Sequence, residues 1–415
     1  MASKYLERYA VQQTYIDPTD YRSPKIIVVI PCHNEKYLIE SLQSLEHCEN
    51  PKEELAIIVV INASEKDSEE IHKQNEATLI EAQLWVKKES RKFDYHFIID
   101  NYLPKKHAGV GLARKIGMDE AIRIFESIHH DGVILCYDAD SICESNLLVE
   151  VERLFANDKI QGCSIHYEHP LEGDLPNDNY TGIINYELHL RYYIDALKYA
   201  GFPYAYQTIG SSMAVRSSSY QKQGGMNRRK AGEDFYFLHR IIPLGNFKNL
   251  NSTRIIPSPR SSDRVPFGTG KAIGDWLETK MDHWETYNPR IFHELKLILE
   301  QVDSFYENNN LNKSYLELPQ VFHSFVSKEE FCAKLEEIII HSTTLMNFRR
   351  RFYQWMDGFK VLKFVHHARD NGYSNVDIDE AIQWLMLEYQ QDLGQSNKKE
   401  KLILLREIDR KEQLF

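Results

Sequence analysis

No apolar run in the 415 residues approaches the roughly 20 residues needed to cross a bilayer. The first residues, MASKYLERYAVQQTY, lack the apolar core of a signal peptide. A cytoplasmic protein without an integral membrane segment is therefore expected. Cysteine is sparse: Cys32, Cys48, Cys136, Cys143, Cys163 and Cys332, with no C-x-x-C pair. That argues against a disulfide framework or a zinc site and for reduced, mostly buried small hydrophobes. Positive charge is in deficit, 50 Lys and Arg against 61 Asp and Glu, a net charge of −11. Such a surface has no general affinity for nucleic acid, although a local basic pocket remains compatible with it. No repeat of solenoid period is present. What remains, 42% hydrophobic with 27% charged residues, is the composition of a soluble globular chain long enough for two domains.

Short β-branched runs alternate with helical patterns through the first part of the chain. The runs are KIIVVI (25–30), ELAIIVVI (54–61), DYHFIID (94–100) and GVILCYD (132–138); between them YLIESLQSLEH (37–47), residues 67–88 and GLARKIGMDEAIRIFESI (111–128) have helical spacing. This alternation predicts an α/β fold, a mainly parallel Rossmann-type sheet flanked by helices, with ligands bound beyond the C-terminal strand ends. From about residue 276 only long helical periods remain. The predicted division is an N-terminal arm (1–22), an α/β ligand-binding domain (23–275) and an α-helical C-terminal domain (276–415), through which copies of the chain could associate. Residues 307–313 read as a loop, and the terminal KKEKLILLREIDRKEQLF as a solvated amphipathic helix.

The run Val133–Tyr137 stops at Asp138-Ala139-Asp140. On an extended strand both carboxylates would face the same way. Two like charges converging are unfavourable unless a cation or a proton lies between them. A hard divalent metal, Mg²⁺ or Mn²⁺, held with substrate phosphates, satisfies that pattern. The plainer alternative is that the aspartates end a strand and cap the next helix.

VVIPCHNE (28–35), VVINASEKDS (59–68), HAGVGLARKIGMDEA (107–121), CYDADS (136–141) and GGMNRRKAGEDFYFLHRI (224–241) resemble, in order and spacing, the family-2 glycosyltransferases of the GT-A fold. The resemblance covers residues 25 to about 245. It implies a metal-dependent transfer of sugar from a nucleotide-diphosphate sugar to the hydroxyl of an unidentified saccharide or small-molecule acceptor, with inversion. Pro31 and Glu35 would line the nucleoside pocket, and Asp138 and Asp140 would grip the ribose and the diphosphate–metal complex. Many members carry an Asp near the end of the second strand to hold the base; here Asn62 stands there, so base identity stays open. Asn34 and Asn62 read equally as loop-starting residues. The Asp of the Glu-Asp pair, Asp234, would be the general base, with Glu233 orienting the acceptor; an ordinary acidic first helical turn is the alternative.

Gly109-Val-Gly-Leu-Ala-Arg114 opens a helix and can admit a nucleotide backbone closely, with Arg114 on phosphate or merely on the helix surface. His239 is a candidate third metal ligand or phosphate contact, or a packed residue. SPRSSDRVPFGTGKA (258–272) reads as a loop whose Arg260 and Arg264 fold over a diphosphate, or as a polar linker. The aromatics of residues 185–206 read as an acceptor platform or as core. Two other functions fit part of the pattern: a sugar-phosphate nucleotidyltransferase, which usually has a Gly-rich basic loop after the first strand where this chain reads PCHNEKYLIE, and a non-catalytic scaffold, which has no need of clustered carboxylates.

Overall fold

The computed structural model describes residues 4–17, 22–262, 268–279, 283–307, 310–391 and 394–411. Eight strands form one sheet: β1 (Ile26–Cys32), β2 (Leu55–Ser64), β3 (Asp94–Leu103), β4 (Val133–Cys136), β5 (Ile142–Cys143), β6 (Gly162–Tyr167), β7 (Met213–Arg216) and β8 (Phe247–Ile256), in the order β3-β2-β1-β4-β7-β6-β8-β5. The pairs β1–β2, β1–β4 and β2–β3 are parallel, as is β6–β8; β4–β7, β6–β7 and β5–β8 are antiparallel. The fold is thus the expected α/β architecture, a mostly parallel sheet flanked by helices with a helical C-terminal region. Every residue of β2 and β4 is buried, which is why those strands are written as unbroken apolar runs. The helices Leu38–Glu46, Glu69–Lys88 and Val110–Ser127 connect the parallel strands.

Two compact units divide the chain, and each is discontinuous in sequence. One contains residues up to Ile183, Thr208–Glu278 and the chain from Arg406 onward; the other contains Ile184–Gln207 and Thr279–Leu405. Three of the four crossing points fall within helices, Asn177–Tyr199, Thr269–Thr279 and Lys398–Lys411. A single cut at 275/276 does not describe this arrangement, because helical spacing carries no mark of which residues face which core.

In the helical unit the aromatics of 185–206 pack inward. Tyr192 is buried edge-on to Phe292, with ring centroids 5.7 Å apart, and Tyr204 meets Tyr353 at 6.0 Å. Here the core reading of that stretch describes the packing. The terminal helix Lys398–Lys411 is not solvated as its charge suggested. Leu402 and Leu405 are fully buried, and on the sheet-containing unit Arg406 donates to the His169 carbonyl (2.8 Å) while the Asp409 carbonyl accepts from Asn251. Helix Thr269–Thr279 begins inside the stretch read as a loop, and helix Leu311–Leu316, capped by Asn310, inside the polar stretch 307–313.

The N-terminal arm is docked on the helix Val110–Ser127, which is buried along most of its length. Asp119 is the anchor. Its carboxylate accepts from the Tyr5 hydroxyl (2.6 Å), the Tyr220 hydroxyl (2.7 Å) and the Val11 amide (2.7 Å), and Lys115 stands beside it. A buried carboxylate is tolerable only with this many partners. Replacing Tyr5 by Phe removes one donor from a group with no access to water. It is expected to lower the unfolding free energy by about 1–3 kcal/mol in a urea titration; an unchanged midpoint would mean that the arm contributes nothing to the fold.

Candidate functional site

Because β1, β2 and β4 run parallel, their C-terminal ends lie on one edge of the sheet. Glu35 follows β1, and Asp138 and Asp140 follow β4. The two aspartates are not on an extended strand, as the alternation of side chains had suggested. β4 ends at Cys136, and the Ser141 amide donates to the Asp138 carbonyl at 3.1 Å, closing a turn. Nor do they cap a helix: the next one, Leu147–Phe155, starts after Asn146. The turn, not strand periodicity, sets both carboxylates at this edge.

Two arginines hold the acidic groups in place. Arg114, 3% exposed, donates to Asp138 Oδ1 through Nη2 and to Glu233 Oε1 through Nη1. Burial pulls its pKa down, but Asp138 and Glu233 more than reverse that, so the guanidinium stays charged. This arginine is buried and does not lie on the helix surface. Arg260 donates through Nη1 to Glu35 Oε1 (3.1 Å), through Nη2 to Glu35 Oε2, and to Asp140 Oδ2 at 2.8 Å from Nη2 and 3.1 Å from Nε. It lies over the Tyr37 ring and ties the loop after β1 to the turn after β4. Arg264 lies outside the described residues.

Glu233 and Asp234 open the helix Glu233–Ile241, in the acidic first turn expected of them. Burial pushes the Glu233 carboxyl up, to about 7; Arg114 pulls the other way, and Asp234 and Asp138 add to the rise. Burial also raises Asp234, against Arg114 and the Phe235 amide, which donates to its Oδ1 at 2.7 Å. His239, farther along the helix, packs against Phe235 with ring centroids 4.3 Å apart, and burial lowers its pKa to about 4. No group of three or more His, Cys, Asp or Glu among the described residues has the arrangement of a metal site.

The glycines have steric reasons. A Cβ on Gly111 would stand 2.3 Å from the Arg229 carbonyl oxygen, and one on Gly109 3.1 Å from Lys230 Cα, so the opening of this helix packs against the loop that leads into Glu233. Gly210, which the sequence reading passed over, leaves room for the Arg114 guanidinium: a Cβ there would lie 2.4 Å from Nη1. Its only signal is a glycine in TIGSSM, far from any motif.

Pro31 is half-buried near the end of β1, and Asn34 is exposed in a left-handed conformation (φ 48°). The Asn34 amide donates to Asn75 Oδ1 (2.9 Å). Asn62 is buried, and its side-chain amide donates to the Cys32 carbonyl (2.9 Å), joining the ends of β1 and β2. Its observed donor contacts serve the backbone. Asn75 and Thr78, on the helix Glu69–Lys88, support this loop from below: Asn75 Nδ2 reaches the Asn62 carbonyl (3.0 Å) and Thr78 Oγ1 the Glu35 carbonyl (2.7 Å). Both were hidden in a stretch that reads as a charged surface helix.

Residues 27–220 match the family described as glycosyl transferase family 2. Over those residues the chain is similar to family-2 glycosyltransferases. The chain is also similar to a probable glycosyltransferase, YdaM, of Bacillus subtilis (strain 168), 26% identical over 226 residues. The similarity covers 54% of this chain and 47% of that protein, so the chain spans about half the length of this relative. Residues 1–349 of S. aureus TarS, solved with UDP, are 14% identical, with a TM-score of 0.40 over 88% of this chain and 92% of that one. A mannosyltransferase from Pyrobaculum calidifontis, solved with GDP-Man and Mn²⁺, is 13% identical, with a TM-score of 0.35 over 96% and 90%. No helix among the described residues is long and apolar enough to cross a membrane.

Glu233 provides a check on the electrostatics of this site. A carboxyl whose folded pKa of about 7 lies above its ordinary 4.5 binds its proton more tightly in the folded state. The stability it contributes is complete below about pH 4.5 and is lost as pH rises through about 7. Wild type should therefore lose roughly 1–3 kcal/mol relative to Glu233→Gln between about pH 4.5 and about pH 8, measured by denaturant titrations of both proteins. A gap that stays constant with pH would place the Glu233 proton elsewhere.

Proposed function

We propose that this chain transfers a sugar from a nucleotide-diphosphate sugar to an acceptor hydroxyl, with inversion and with the help of a divalent metal. One observation carries the reading. In a chain similar to family-2 enzymes, Glu35, Asp138, Asp140, Glu233 and Asp234 are gathered around Arg114 and Arg260. Carboxylates brought together in this way have the chemistry of an oxygen-ligated Mn²⁺ or Mg²⁺ site. Asp138 and Asp140 would hold it, and the ion would supply Lewis-acid neutralisation of the departing diphosphate. His239, against Phe235, is the weaker third ligand.

The chain's own residues do the rest. Asp234 takes the proton of the acceptor hydroxyl. Its Oδ1 is fixed by the Phe235 amide, and its raised pKa brings it nearer the neutral range in which a base works well. Glu233 is engaged by Arg114 and therefore fixes the helix start and orients the acceptor instead of receiving the proton. Pro31, Asn34 and Glu35 border the nucleoside pocket. Gly109 allows close approach, Asn62 shapes the pocket through the backbone of β1, and Arg260 contacts the diphosphate. Arg264 is assigned to the same task by its place in sequence alone.

Two experiments test this. Titration calorimetry with a nucleoside diphosphate should show binding strengthened by Mn²⁺ in wild type, and Asp140→Ala should abolish the strengthening; if the metal dependence survives, the ion binds at another place. Asp234→Asn should bind the nucleotide sugar with near wild-type affinity and lose about 10²- to 10⁴-fold in turnover. Retention of more than about a tenth of turnover would transfer the role of base to Glu233.

A further inference from the structure

Near the acidic site but outside it, two thiols face each other. Cys48 Sγ and Cys143 Sγ are 3.6 Å apart, although 95 residues separate them in sequence. Cys48 follows the helix Leu38–Glu46 and is fully buried; Cys143 is in β5, half-buried, beside Ile142, which is 44% exposed. Ser44 holds the pair from the helix side. Its Oγ accepts from the Cys143 amide at 2.9 Å and lies 3.5 Å from Cys143 Sγ, while its carbonyl accepts from the Cys48 thiol at 3.5 Å. On the other side the Glu144 carbonyl lies 3.8 Å from Cys48 Sγ, and Lys92 Nζ donates to the Cys48 carbonyl at 3.0 Å. All six cysteines are free thiols.

The two sulfurs differ. The hydrogen bond with Cys48, followed in weight by burial acting the other way and by bonds with Ser44 and Tyr137, lowers the pKa of Cys143. The same bond raises that of Cys48. The half-buried sulfur is thus the one that ionises more readily, with a buried thiol waiting beside it. This is the arrangement of an attacking and a resolving cysteine.

We propose that Cys143 and Cys48 form an oxidation site, a dithiol that closes reversibly to a disulfide when a hydroperoxide reaches it. The Cys143 thiolate attacks the peroxide, breaking the O–O bond to give a sulfenic acid and hydroxide. The Cys48 sulfur then attacks the Cys143 sulfur, the S–O bond breaks, and the Cys48 proton leaves with the oxygen as water. Two electrons pass from the thiols to the peroxide, and a thiol reductant reverses the change. The sulfurs need only close from 3.6 Å to the roughly 2 Å of a disulfide. The crosslink would join the helix that follows Glu35 to the strand that begins two residues after Asp140. The proposal does not depend on the sugar-transfer reading.

The test uses the full-length reduced protein, treated with hydrogen peroxide in small excess, blocked with N-ethylmaleimide and digested without reductant. Mass spectrometry should find the Cys48 and Cys143 peptides joined, and dithiothreitol should separate them. The thiol titre of the denatured protein should fall from six to four. Cys48→Ala should instead leave a Cys143 sulfenic acid that dimedone captures, and Cys143→Ala should leave Cys48 reduced. Phenylarsine oxide, which bridges only neighbouring thiols, should bind wild type at one equivalent and bind both variants at least tenfold more weakly, a readout that needs no oxidation. Six remaining thiols, a Cys143 sulfinic acid without the crosslink, or a disulfide between other cysteines would each overturn the proposal.

Discussion

A guanidinium almost wholly removed from water is the constraint on which the site rests. Arg114 cannot lose its proton, and an unpaired charge at that depth would cost several kcal/mol. Asp138 and Glu233 must therefore stay beside it, which fixes the turn after β4 against the start of the helix Glu233–Ile241. The space the guanidinium needs fixes Gly210, and the close packing of its own helix fixes Gly111 against the Arg229 carbonyl. Segments remote in sequence are thereby held to a common geometry by one side chain. Loss of either carboxylate would leave the arginine under-compensated, so these acidic groups serve the fold as well as any chemistry.

How much of this was legible depends on whether the signal was local. β1, β2 and β4 could be read because strands covered on both faces are unbroken apolar runs. β6 (GCSIHY) and β8 (FKNLNSTRII) could not, because they mix polar and apolar residues and owe their pairing to partners distant in the chain. Glu35, Asp138, Asp140, Glu233 and Asp234 were recognisable by residue type and order. The pairing of Arg114 with Glu233, 119 residues away, was not, since no periodicity records which charges meet. Asn75 and Thr78 were hidden for the same reason. Their stretch is mostly charged, and only the packed structure shows which face turns inward. The terminal helix misled in the opposite sense: its charges suggested a solvated face, yet Arg406 is buried with its guanidinium on a backbone carbonyl.

Asn62 shows how a polar strand end can be taken up by the backbone around it. A residue at the end of the second strand is well placed to meet a ligand, and an Asn there has both donor and acceptor capacity. In this chain its donors reach the carbonyls of Cys32 and Val60, and its own carbonyl accepts from His33 (2.8 Å) and Asn75. A carboxylate at this position would have no donor to offer those carbonyls and would face them with like charge. The amide therefore suits this backbone arrangement, in which it joins the ends of β1 and β2.

The site's charged groups come from five places: the loop after β1, the helix after β3, the turn after β4, the helix Glu233–Ile241 and the segment after β8. Only the parallel order of β1 and β4 brings two of these to the same edge without long connecting loops. The register Val29↔Cys136 then sets how far the Asp138 turn stands beyond the loop that carries Glu35. A slip by one residue would turn the alternating faces of β4 over and carry the turn about 3.3 Å along the sheet. That distance exceeds the tolerance of a charge-assisted hydrogen bond, so Arg260 could no longer span Glu35 and Asp140. The side chains of β4 are closely packed on both faces, so a shifted register would lose their fitted contacts. The apolar core of the sheet therefore determines the spacing of the carboxylates, and the two arginines hold that spacing against their mutual repulsion.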